Sequence, residues 1–169
     1  MVPAIIVLLL AKADWPGFRV NQVDMGFKMP SKPTMKQSLF QNAPTTFYTT
    51  DSPVGRFVAG FIKFPDSVQP AMRKQIRTDP GSAAIKSLLQ ATVADFAKGG
   101  KAKIVDPQFG VDQGLPTEFA TLSSEKASLR MRVYIGAKAT YVFITSATAE
   151  NAFKYFDSIT LPGEIGKTS

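Results

Sequence analysis

From residue 129 the chain alternates apolar and polar side chains, with Leu129, Met131, Val133 and Ile135 on one parity and Arg130, Arg132 and Tyr134 between them. A period of two puts the first set on one pleat face and the second on the other, which predicts a half-buried strand. Gly136, Ala137 and Lys138 supply a short glycine-containing loop, and residues 139–145 are rich in β-branched and aromatic types. The two segments are therefore expected to close a β-hairpin around which the rest of the chain is organised.

The same reading extends to the rest of the chain. After Asp14, a Trp15-Pro16-Gly17 turn leads to an extended segment at 25–29, where Met25, Phe27 and Met29 share a parity and Lys28 faces away. Strands are expected at 35–40, 45–50 and 56–64, separated by turns at Asn42-Ala43-Pro44 and at 51–55. Four strands joined by short turns would make a meander, and the last, apolar on both parities, would be covered on both faces. The period then changes. Pro65 and Pro70 bracket a connection, and Asp79 or Ser82 can cap a helix over 83–98. Its apolar stripe is Ile85, Leu88, Leu89, Val93 and Phe96, and Gly99-Gly100 stops it. Strands follow at 101–109 and 117–122, then the hairpin. A last helix is capped by Ser146 or Thr148 and gathers Ala149, Ala152, Phe153 and Phe156 on one side; 159–161 is expected as a short strand and 163–169 as a frayed tail. Meander, helix, hairpins and helix in that order predict an α+β domain, an antiparallel β-sheet with packed helices, and argue against a doubly wound parallel sheet.

Composition narrows the chemistry. At 169 residues and 44% hydrophobic content, the chain is one domain's length and can bury a sizeable core. It has no histidine and no cysteine, which excludes imidazole general bases, Ser-His-Asp triads, thiolate nucleophiles, disulfides and His- or Cys-ligated metals. The net charge of +7 favours anionic surfaces or an acidic partner. Gly99-Gly100-Lys101 ends a helix and is no phosphate loop, which would open one.

The first residues, MVPAIIVLLLAKA, have an apolar run followed by an A-x-A pattern before Asp14. About ten apolar residues are too few for a bilayer-spanning helix, which needs about 20, but match the apolar region of a secretory signal. Residues 1–13 are read as a signal peptide and 14–169 as the mature domain, exported to the periplasm or outside the cell. A cytoplasmic protein whose first residues form a strand or buried helix is the alternative.

Three stretches resemble a widespread bacterial domain family: FKMPSKP, RMRVYIGAKATYVF and AFKYFDSITL, with Gly114, Pro116 and Glu118 matching a further turn. The resemblance spans 27–161, and Ala137, Thr117 and Ile159 depart from the family pattern. It implies a PsbP/Mog-like α/β/α sandwich, the fold of the PsbP extrinsic photosystem proteins and the Ran-binding Mog proteins, and it implies no activity.

The candidate site follows from the parity of the hairpin. Arg130, Arg132 and Lys126 are read as one basic stripe able to grip a carboxylate or phosphate, with Tyr134 lending stacking surface. The plain alternative is a pair of solvent-facing arginines, or arginines capped by Glu118 or Glu125 across the sheet. Asp106, Asp112 and Glu118 are the carboxylates of the 106–118 connection, and their spacing fits neither a paired-carboxylate hydrolase nor a calcium loop. The reading is thus a non-enzymatic binding or accessory module without cofactor or metal, docking a protein or other anionic partner. Its alternatives are an enzyme working through carboxylates or lysines, and a basic binder of nucleic acid or anionic surfaces, the former of these two ligands disfavoured.

Overall fold

The computed structural model describes residues 14–40 and 42–165, so the segment read as a signal peptide lies outside the described residues. Strands β1 (Gly17–Val20) and β2 (Met25–Lys28) form a small antiparallel hairpin. Then come β3 (Thr34–Phe40), β4 (Ala43–Ser52), β5 (Gly55–Lys63), α1 (Gln69–Thr78) and α2 (Ala83–Gly99). The chain closes with β6 (Lys103–Asp112), β7 (Leu115–Ser123), β8 (Ser128–Ile135), β9 (Ala139–Thr145) and α3 (Ala149–Asp157).

Two meanders make one antiparallel sheet in the order β3-β4-β5-β9-β8-β7-β6. They join through the β5–β9 pair, and β9, whose seven residues are all buried, runs down the middle. The β8–β9 hairpin is thus central to the sheet, with Gly136 donating its N–H to the Ala139 carbonyl at 2.9 Å across the loop.

The pleat sorts the core into two layers. On one face Phe57, Ala59, Tyr134, Tyr141 and Phe143 meet β1, β2 and α3 through Met25, Phe27, Tyr155 and Phe156. On the other, Met131, Val133, Val142 and Ile144 meet α1 and α2 through Ile76, Ile85, Leu89 and Val93. Each fully buried Val, Leu, Ile, Phe or Met side chain among them contributes about 1.5–3 kcal/mol over its exposed state. Helices therefore cover both faces of an antiparallel sheet. Ser82 caps α2, its hydroxyl accepting the Ile85 N–H at 3.3 Å. Leu88 and Phe96 are half-buried at the edge of the α2 stripe, and the Phe96 ring stacks on Phe40 at 5.0 Å.

Several expectations need correction. Residues 25–29 face the core on the expected parity but lie outside the main sheet, paired with β1, so the first meander has three strands. The connection after Pro65 contains α1, a polar helix with one buried residue, Ile76, and Pro70 in its first turn. In α3 it is Tyr155 that turns inward, its hydroxyl donating to the Val58 carbonyl at 2.6 Å, while Phe153 is 62% exposed. Instead of a strand, 159–161 makes one bridge to Gly26, where a side chain would strike the Thr160 hydroxyl. Of the expected frayed tail, residues 163–165 are pinned, and 166–169 lie outside the described residues. Glu164 and Ile165 donate their N–H groups to the Gly114 carbonyl at 3.0 and 2.9 Å, and the Glu164 carboxylate pairs with Arg77 at 3.0 Å and Arg73 at 3.4 Å.

Candidate anion-binding groove

Because Met131 and Val133 serve the α2 face, the alternation of β8 sends Arg130 and Arg132 to the α3 face, opposite Thr121 and Phe119 of β7. There α3 and strands β6 to β8 enclose a groove of about 610 Å³ whose lining includes Asp112, Phe119, Arg130, Arg132, Phe153 and Phe156.

The two arginines have different surroundings. The Arg132 guanidinium lies 4.8 Å from the Phe156 ring centroid and 5.7 Å from that of Phe119, in range of cation–π attraction. It also stands 3.6 Å from the Asp112 carboxylate, which accepts the Tyr134 hydroxyl at 2.7 Å. Arg130, half-buried, donates from Nη1 to the Ala147 carbonyl at 2.8 Å, and among the described residues no carboxylate pairs with it. A guanidinium has five N–H donors in a rigid fork, so Arg130 keeps capacity for a planar anion.

A β-bulge brings Asp112 to this face. Ile104 pairs with Leu122 on the α2 side, but the register shifts by one between Val105 and Gln108, where Asp106 takes φ 47°. One extra residue reverses which parity faces which layer. Beyond the bulge Gln108 lies opposite Phe119, so Gln108 and Asp112 share the arginine face. Phe109 goes to the other side, where the Lys86 ammonium sits 4.9 Å from its ring centroid.

Of the four residues read as a site, the fold unites Arg130 and Arg132, with Tyr134 beneath them as a support. Tyr134 is fully buried, so it offers no stacking surface to a ligand. Burial pushes its hydroxyl pKa up to about 12, with the Asp112 charge adding to the effect and Arg132 opposing it. Lys126 is elsewhere. It precedes β8 in an exposed turn, where the Ser124 hydroxyl accepts the Ala127 N–H at 3.2 Å, and it lines a second basin of about 620 Å³ with Lys101, Lys103 and Glu125. The expected carboxylate caps are also displaced. Glu118 pairs with Val133 and so faces α2, where burial raises its carboxyl pKa. Asp112 takes the capping role. Phe119 and Phe156 wall in Arg132, a pairing that no sequence period signals because it depends on the β7–β8 register and the position of α3.

Among the described residues no three carboxylates gather to hold a metal ion, and no helix is long and apolar enough to cross a membrane. No family model, curated protein or solved structure matches the chain.

Proposed function

We propose that the domain is a non-enzymatic binding module whose groove between α3 and β6–β8 seats an anionic group of a partner protein on Arg130. The observation that carries this reading is the contrast between the arginines: Arg132 is matched by Asp112, whereas Arg130 is held in place by a neutral carbonyl. A guanidinium that shares its groove with exposed Phe153 and buried Phe156 suits a carboxylate next to an apolar side chain. Asp157 also lines the groove, so recognition is local to Arg130 and does not rest on a broad positive field.

A protein partner fits better than nucleic acid. Asp112 and Asp157 offset the two arginines of the groove, so it offers no continuous basic track for a phosphate backbone, and the lysine-lined basin that holds Lys126 has no aromatic residue in its lining on which a base could stack. Helices on both sides of an antiparallel sheet agree with the PsbP/Mog-like sandwich implied by the resemblance, and we include that fold assignment in the proposal. Export after loss of residues 1–13 completes it: mass spectrometry of the protein from its host should find Asp14 at the N-terminus, and an intact Met1 contradicts export.

Parallel capture from host extract with the wild-type domain and Arg130→Ala tests the function. An acidic protein retained by the first and lost from the second is expected; equal retention by both contradicts the assignment to Arg130.

A further inference from the structure

The two edges of the sheet are protected unequally. An edge strand exposes a row of unpaired N–H and C=O groups, and proteins blunt such edges with prolines, bulges or charges. At β6 the bulge, with Pro107 inside it, interrupts the edge. By contrast β3 pairs with β4 without a register shift from Thr34 to Phe40, contains no proline or glycine, and carries one charge, Lys36. Two large apolar side chains stand open on it, Met35 at 57% and Leu39 at 70% exposure.

We propose that β3 is a self-association edge, pairing antiparallel with β3 of a second copy of this chain about a two-fold axis at Gln37. The sequence of the strand is self-complementary in this register. Gln37 meets the partner's Gln37, Met35 meets the partner's Leu39, and Thr34 meets the partner's Phe40. Lys36 falls opposite the partner's Ser38, so no like charges oppose each other. Centring the axis on Lys36 would set the two lysines face to face and bring Pro33, which has no N–H, into the ladder. Centring it on Ser38 would leave Met35 without a strand residue opposite.

Backbone geometry is compatible with this register. Phe40 and Ala43 close the β3–β4 turn as a hydrogen-bonded pair, and alternation along the ladder turns the peptide groups of Leu39, Gln37 and Met35 away from β4. Those three residues are the ones that meet their counterparts when the axis lies at Gln37. The contact is isologous and closes as a dimer, with the two sheets continuous across it.

Sedimentation equilibrium on the purified domain, wild type and variants, tests the proposal. Wild type should be a dimer that dissociates on dilution. Gln37→Pro removes the central outward N–H while sparing the β4 side, and should give a monomer with the wild-type circular dichroism spectrum. Ser38→Asp places a carboxylate opposite each partner's Lys36 and should tighten the dimer, whereas Ser38→Lys should weaken it, each by roughly two- to tenfold in Kd. A wild-type monomer at about 100 μM, or a dimer indifferent to Gln37→Pro, overturns the proposal; a dimer lost in Gln37→Pro but with the order of the two Ser38 variants reversed overturns the register.

Discussion

Arg130 and Arg132 stand two residues apart on one face of β8, yet Arg132 lies 3.6 Å from the Asp112 carboxylate while Arg130 donates to the Ala147 carbonyl at 2.8 Å. One arginine is part of the protein's own packing and the other is positioned by it. Replacing each separately should divide stability from binding. Arg132→Ala removes the cation between the Phe119 and Phe156 rings and deprives Asp112 of its counter-charge, so we expect a loss of about 1–3 kcal/mol in denaturant unfolding. Arg130→Ala removes one charge-assisted hydrogen bond to the carbonyl of buried Ala147 and should cost about 1–2 kcal/mol, the smaller loss of the two. Equal losses for both variants would contradict this division.

Glu118 gives a pH-dependent prediction. It is 4% exposed beneath α2, and burial raises its folded pKa above the unfolded value. The stability linked to its neutral form is therefore fully present below the ordinary glutamate range and is lost as pH rises through the raised folded value. Glu118→Gln keeps the neutral shape at every pH. Its melting temperature should exceed that of wild type at pH 7, and the advantage should shrink below about pH 4. A variant less stable than wild type at pH 7 would show that the carboxylate is wanted in its charged form.

Much of the fold was legible because strong periodicity reported directly on burial. The 129–135 alternation and the β-branched and aromatic content of 139–145 mark the central hairpin, and Ile85, Leu89 and Val93 mark the buried stripe of α2. α1 was not legible: its sequence QPAMRKQIRT buries only Ile76, too little apolar content to show a period. In the groove, the arginine pair followed from parity alone, but its carboxylate did not. Simple alternation from Ile104 puts Asp112 on the α2 side, and only the bulge, marked by Asp106 at φ 47°, returns it to the arginines. Lys126 shares the parity of Arg130 and Arg132 in the sequence, but β8 begins at Ser128 and the preceding turn abandons the pleat.

The C-terminal segment should act as a brace for α1. Glu164 is 7% exposed and pairs with both Arg73 and Arg77, whose side chains are 39% and 25% exposed. Glu164→Ala leaves two partly solvated cations facing each other. We expect a loss of about 1–2 kcal/mol in global stability. Amide exchange should speed up in α1 while α2 keeps its protection, since Ser82 and the Ile85–Val93 stripe hold α2 independently. Unchanged exchange in α1 would mean that the ion pairs do not hold it.

The central claim, that Arg130 is a seat for an anion, is tested most directly by NMR titration with N-acetyl-phenylalanine and, separately, with its uncharged amide. The carboxylate form should shift the Arg130 side-chain resonance and the Phe153 and Phe156 rings together, with an affinity at least tenfold above that of the amide. In Arg130→Ala that difference should vanish while the protein stays folded. Equal responses to acid and amide, or a carboxylate response that survives in Arg130→Ala, would contradict the claim.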